Sequence, residues 1–147
     1  MTSALIVVDI QRDFMPGGTL GIKEGDGIIP GINRVMRMFP LVIATKDYHP
    51  KRHISFASSH PGRRSGEVVS IDGRAQNLWS DHCLQESAGS DLDPRLDKDY
   101  FDHIFVKGTN RDVDSYSTFF DNARNKSTGL HDYLRKNNVK KVFICGL

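Results

Sequence analysis

Four short apolar runs, each unbroken rather than alternating, constrain this chain more than any other feature. They are Ala4-Leu5-Ile6-Val7-Val8, Leu41-Val42-Ile43-Ala44, His103-Ile104-Phe105-Val106 and Lys141-Val142-Phe143-Ile144-Cys145. A strand covered on one face alternates apolar and polar residues. A continuous branched run suits a strand buried on both faces, which occurs mainly in parallel sheets flanked by helices. Between the first two runs Ile32, Val35 and Met36 recur at helical spacing and predict a helix over 28–39. Before the fourth, Leu130, Tyr133 and Leu134 predict a second helix, capped by Ser127 or Thr128 and ending near Lys136, Lys140 and Lys141. Strand–helix–strand alternation gives an α/β fold, a doubly wound, Rossmann-like parallel sheet with helices on both faces. At 147 residues the expectation is one domain over 1–147. Residues 49–94 show no clear element and are rich in Ser, Gly, Pro, His and Arg. A stretch of that length inside a compact domain reads as a long functional loop.

Composition removes several classes of function. Charged residues make up 26%, with 20 basic against 18 acidic, so the net charge is only +2 and no basic surface for nucleic acid is expected. No apolar run approaches the roughly 20 residues of a membrane span. None follows a basic start with the apolar core of about 7–15 residues that a secretory signal requires. Two cysteines, Cys83 and Cys145, are too few for a disulfide framework. The expectation is a soluble, cytoplasmic chain of a reducing compartment. Gly25-Asp26-Gly27-Ile28-Ile29-Pro30-Gly31 is one residue too long for a dinucleotide fingerprint and does not directly follow a strand. Neither a phosphate-binding loop nor a G-x-S-x-G nucleophile elbow is present.

In open α/β sheets ligands bind outside the carboxyl ends of the strands. The first run is followed by Asp9, with Gln11, Asp13 and Phe14 close behind. Lys46, Asp47, Tyr48 and His49 follow the second, Lys107-Gly108 the third and Gly146-Leu147 the fourth. Asp9, Asp47, His49 and Lys107 are therefore expected on one rim, although far apart in sequence. Asp47 and His49 lie two apart, so on extended chain both side chains face the same way and can hold one ion. A carboxylate with imidazoles suits zinc, iron or manganese. His53, His60 and His82 are further ligand candidates, against the plainer reading of solvated loop histidines.

Asp9-Ile10-Gln11-Arg12-Asp13-Phe14 with Gly17-Gly18 resembles the opening of the nicotinamidase family, within the isochorismatase-like cysteine hydrolases. Three further blocks resemble that family in order. The first is Lys46-Asp47-Tyr48-His49-Pro50 with Ser55-Phe56-Ala57-Ser58 and His60. Trp79-Ser80-Asp81-His82-Cys83 is the second, and Val106-Lys107-Gly108 leading to Asp114-Ser115-Tyr116-Ser117 and Phe119-Phe120-Asp121-Asn122 the third. The resemblance implies Asp9 as the general base for a cysteine nucleophile, with Lys107 beside both. It implies Asp47, His49 and His82 as ligands of one divalent metal, with His53 as candidate fourth ligand; zinc comes first, then iron or manganese. Phe14, Trp79 and Tyr116 would wall the ring pocket of a small-molecule substrate, nicotinamide, with pyrazinamide as a candidate analogue. A homo-oligomer is compatible with this reading, and neither nucleic acid nor membrane enters it.

The resemblance stops short of the nucleophile, which in that family follows a Gly-aliphatic-Ala-Thr-type turn after the fourth strand. Here the given chain reaches only Gly146-Leu147, so the cysteine and the remaining strand–helix units are expected beyond Leu147, the sheet being truncated after the fourth strand. Cys145 lies within the strand and Cys83 beside His82, and neither fits the role. Two other readings stand beside this one: an isochorismatase-like hydrolase acting on another amide or a vinyl ether, and a non-catalytic metal-binding fragment.

Overall fold

The branched runs form strands Thr2–Val8 (β1), Val42–Asp47 (β2), His103–Lys107 (β5) and Val139–Gly146 (β6), in a computed structural model that describes residues 2–147. A hairpin of Val68–Ile71 (β3) and Arg74–Asn77 (β4) stands apart, and the helices are Ile29–Met36 (α1) and Leu130–Lys136 (α2). The main sheet has the order β5-β2-β1-β6 with every pair parallel. From β1 the chain passes to β2 and β5 on one side, then returns to pair β6 with β1 on the other. The strand order thus reverses between β1 and β6, the place where open sheets of this kind form a crevice.

Alternate side chains of the central strands feed two cores, as the two-residue period of a strand requires. Leu5, Val7, Val42 and Ala44 pack with Ile29, Ile32 and Met36 of α1. Ala4, Ile6, Ile43 and Phe105 pack with Leu130 and Leu134 of α2. Helices therefore cover both faces, the doubly wound arrangement that the unbroken runs predict. No helix among the described residues is long and apolar enough to cross a membrane.

Several local expectations require correction. The first helix ends at Met36, not at 39. Pro40 disfavours helical geometry at the residue before it, and Phe39 instead packs its ring on Phe143, with centroids 5.1 Å apart. The second helix is capped by Gly129 at φ 89°, not by Ser127 or Thr128. Those hydroxyls instead accept from the N–H groups of Gly129 and Leu130, at 3.1 and 3.2 Å. Lys140 and Lys141 belong to β6 and not to the helix end. Two-sided burial holds for β1 and β2 only. Strands β5 and β6 each have one neighbour among the described residues, and Ile104, Val142, Phe143 and Ile144 are exposed. Finally, residues 49–94 contain the hairpin. Asp72 and Gly73 at its tip take φ 49° and 76°, the paired positive values that a two-residue type I′ turn needs.

One polar clamp holds the long loop to the sheet. Asp93 donates its N–H to Ile10 O at 2.8 Å, just after β1. Its carboxylate grips Arg95 at 2.9 Å through both oxygens, and Arg95 reaches on to Asp26 at 2.8 Å. The hydrogen bonds from Arg95 hold the Asp93 carboxyl below its ordinary value. A carboxyl held down in the folded state stabilises it above the unfolded pKa, and that contribution fades as the pH falls through the folded one. Asp93→Asn is expected to cost about 1 kcal/mol at pH 7, a few degrees in melting temperature. The gap to wild type should close in thermal melts below about pH 4.

Candidate functional site

Three buried charges meet at the carboxyl ends of three neighbouring strands. Asp9 follows β1, Asp47 closes β2 and Lys107 closes β5, and Asp47 and Lys107 are register partners. The Lys107 ammonium donates to both carboxylates, at 2.8 Å to Asp9 Oδ2 and in a shorter contact to Asp47 Oδ1. Burial favours the neutral amine, yet the charges of Asp47 and Asp9 hold the Lys107 pKa above its ordinary value. Burial is also the largest influence on Asp9 and raises it, against the pull of Lys107. Asp47 is pushed up by burial too, but the neighbouring His49 and His82 and the charge of Lys107 leave it well below the usual carboxylate range.

Neutral partners fix the Asp9 carboxylate and the Asp47 backbone. Thr45 donates its hydroxyl to Asp9 Oδ1 at 2.5 Å. Gln11 accepts the Asp47 N–H and donates to the Asp47 carbonyl, each at 2.7 Å, clamping that peptide as a strand would. Asp9 itself sits at φ 49° and Cys83, beside His82, at φ 46°. Left-handed geometry costs a non-glycine residue roughly 1–2 kcal/mol, so both turns are held in place by their surroundings.

The second carboxylate oxygen of Asp47 faces two imidazoles. His49 Nε2 lies 3.6 Å and His82 Nε2 3.7 Å from Asp47 Oδ2. Each ring is oriented from behind: His49 Nδ1 donates to Gly108 O at 2.9 Å and His82 Nδ1 to Ser80 O at 2.7 Å. A backbone carbonyl on Nδ1 fixes the tautomer that presents the Nε2 lone pair, as in metal sites. Asp47, His49 and His82 offer ligand atoms within 4.8 Å of one another, so two nitrogens and an oxygen suit a divalent ion. His53 falls in a second group, with His49 and Asp114. Its Nδ1 bonds Ser55 Oγ at 2.7 Å, while its buried Nε2 has no partner among the described residues. Burial and the adjacent His49 lower its pKa to about 4, so at neutral pH it is an uncharged donor atom.

A cavity of about 320 Å³ opens onto this ligand set. Phe14, Trp79 and Tyr116 line it, as do Asp47, His49 and His82. The sequence reading missed Leu20, Ile22, Asp114 and Ser115, which complete the wall. It also missed Phe56, wholly buried, whose ring lies 5.4–5.5 Å from those of His49, His53 and His82. Asp114 and Phe56 stand in the blocks that resemble the family, but neither carries a local signal of burial. Asp9 and Lys107 do not line the cavity. Lys107 opens onto a neighbouring cleft that shares Ser115 with it. His60 stays outside the ligand groups and binds Ile54 O at 2.7 Å. Neither cysteine is poised as a nucleophile: burial raises both thiols, and Cys83 is wholly enclosed.

Comparison with known proteins agrees with this geometry. The isochorismatase domain family matches residues 3–147. A nicotinamidase of Acinetobacter baylyi is 42% identical over 144 residues, covering 98% of this chain and 67% of its own length. A solved nicotinamidase and pyrazinamidase of Acinetobacter baumanii superposes with a TM-score of 0.97 at 39% identity, over 99% of this chain and 70% of that one. The pyrazinamidase of Pyrococcus horikoshii, solved in complex with zinc, gives 0.76 at 38% identity, over 100% and 71%. The chain spans about two thirds of the length of these relatives. It belongs to the isochorismatase domain family, in its nicotinamidase branch.

Proposed function

We propose that the full-length protein containing this chain hydrolyses nicotinamide to nicotinate and ammonia through a cysteine thioester, as a cytoplasmic enzyme of NAD salvage. The chain would form the amino-terminal part of a single isochorismatase-like domain. The observation that carries the reading is the linked charge array Asp9–Lys107–Asp47, whose last member faces an apolar, aromatic-walled cavity together with His49 and His82. A flat heteroaromatic amide needs apolar walls and a few placed polar anchors. Phe14, Trp79 and Tyr116 supply the walls, and the A. baylyi relative is named for nicotinamide hydrolysis.

Asp47, His49 and His82 would hold the metal, with His53 as fourth ligand. Zinc is the first choice for this donor set, in line with the zinc-bound P. horikoshii structure, and iron or manganese the alternatives. When bound, the ion supplies Lewis-acid attraction for the ring nitrogen. The nucleophile is assigned to chain beyond Leu147. Leu147 N–H donates to Val8 O at 3.1 Å, so residues following it start beside Asp9.

In this mechanism Asp9 takes the thiol proton and the thiolate sulfur bonds to the carboxamide carbon, whose electron pair moves onto oxygen. The tetrahedral intermediate collapses as Asp9 passes that proton to the amide nitrogen, the C–N bond breaks and ammonia leaves. The regenerated Asp9 carboxylate then removes a proton from water, whose oxygen bonds to the thioester carbon; the C–S bond breaks and Asp9 returns the proton to sulfur, giving nicotinate and the free thiol. Lys107 stays protonated throughout and keeps the Asp9 carboxylate available. Pyrazinamide, with an azine ring and the same amide, is the expected second substrate.

Ammonia release from nicotinamide by the full-length protein tests the reading directly. Asp9→Asn preserves the side chain's shape and should lower kcat by about 10²–10⁴-fold with unchanged metal content; near-normal turnover would sink the assignment. His82→Ala should lower metal affinity by more than the about 10–100-fold that changes behind a ligand cost, as read by metal analysis after dialysis.

A further inference from the structure

Strand β4 lies at the surface except for one side chain. Arg74, Ala75 and Asn77 are exposed, whereas Gln76 is 6% exposed. Its Nε2 donates to Asp114 Oδ2 at 3.0 Å and to Asn77 O at 2.8 Å, and lies 3.5 Å from the Tyr116 hydroxyl. The other oxygen of Asp114 accepts the Ser115 N–H at 2.8 Å, so both carboxylate oxygens are held by neutral donors. A buried amide that satisfies a buried carboxylate across 38 residues is not a requirement of a hairpin of two four-residue strands, whose ladder and turn are complete without it.

The two residues that Gln76 touches belong to the substrate cavity. Asp114 and Tyr116 also line a second cavity of about 260 Å³, beside Gln76, Arg74, Asp112 and Asn122. They form the wall that the two spaces share. Tyr116 is 55% exposed, so packing alone does not fix its ring. Resting on the nicotinamide reading above, we infer that Gln76 is a positioning residue that latches Asp114 and Tyr116 into this wall and so sets the width of the aromatic-amide site. The hairpin is thereby the arm that decides which ring sizes are admitted. A ligand wall needs this kind of support from behind, because a side chain free to swing holds its substrate less tightly.

The test uses the full-length protein and two substitutions. Gln76→Leu keeps the volume and removes the donor; Gln76→Ala also opens the wall. Both should raise KM for nicotinamide about 10-fold, the effect of one lost buried hydrogen bond, while kcat stays within about two-fold. Nicotinate affinity measured by calorimetry should fall in parallel. Gln76→Ala, but not Gln76→Leu, should raise kcat/KM for ring-methylated nicotinamides relative to nicotinamide itself. A folded Gln76→Leu protein with unchanged KM and unchanged nicotinate affinity overturns the inference. So does a loss of activity in kcat alone that matches a loss of folded protein. Should neither variant fold, Tyr116→Phe removes the other end of the latch, and an unchanged KM there overturns it equally. Absence of ammonia release by the wild-type protein would sink the nicotinamide reading and this inference with it, whereas normal wild-type turnover with indifferent variants removes the role of Gln76 alone.

Discussion

The ammonium of Lys107 between two carboxylates joins β5, β2 and β1 where the site begins, and the rest of the arrangement depends on it. All three side chains are nearly free of solvent. Taking them out of water is costly, and removing one partner from such a cluster typically costs about 3–5 kcal/mol because the remaining charges stay buried and unpaired. Without Lys107 the carboxylates of Asp9 and Asp47 would face each other across adjacent strands. The contact that could serve chemistry is therefore also the one that lets the three strand ends pack. Two carboxylates against one ammonium leave a negative charge over, on the side where Asp47 turns to the imidazoles. An array built this way suits a cation at that end and a proton acceptor at the other.

Behind the ligand set lies a support that is aromatic rather than ionic. Phe56 is in contact range of all three imidazoles, and the His49 and His53 ring centroids are only 4.2 Å apart. The segment carrying Phe56 is tied to Trp79 through reciprocal backbone bonds, Ala57 N–H to Trp79 O and Trp79 N–H to Ser55 O, both 2.8 Å. Gly108 completes the frame. It turns at φ 66°, its carbonyl orients His49, and a Cβ there would lie 2.3 Å from the His49 ring. The three imidazole rings are thus held by packing and by backbone, the kind of support that keeps candidate donor atoms converged.

Much of this was legible in the sequence because a parallel sheet writes its burial and its binding edge in the same places. Unbroken runs located β1 and β2, and the residues after them located Asp9, Asp47 and His49. What was not legible required partners distant in sequence. Gln76 and Asp114 meet across 38 residues, and Phe56 packs on His82 as well as on the nearer His49 and His53, so no local pattern encodes their burial. The edge strands were overread for the same reason: Ile144 looks like a core residue, yet β6 is an edge strand among the described residues and leaves it exposed. The hairpin was missed although Asp72-Gly73 is a strong turn signal, because Val68, Val69, Ser70 and Ile71 do not alternate cleanly. At the start of α2 the hydroxyls of Ser127 and Thr128 distracted from Gly129, whose backbone freedom decided the cap.

The cavity has two kinds of wall, and Asp13 keeps them in register. The polar wall joins the end of β2, which carries Asp47 and leads to His49, to the loops that carry His82 and Asp114. Much of the apolar wall comes from the loop after β1, which carries Phe14, Leu20 and Ile22 outside any strand, beside Trp79 and Tyr116. Asp13 accepts the Cys83 N–H through Oδ2 at 2.7 Å, next to His82, and the Thr19 hydroxyl through Oδ1 at 3.3 Å. Its carbonyl accepts the Leu20 N–H at 2.9 Å. Gly89 leaves room for this carboxylate, since a Cβ there would stand 2.2 Å from Asp13 Oδ2. A single side chain therefore fastens the loop that would grip the ring to the turn that aims His82, so the distance from apolar wall to ligand atom is set by hydrogen bonds of fixed length and not by the wandering of a fourteen-to-twenty-two loop.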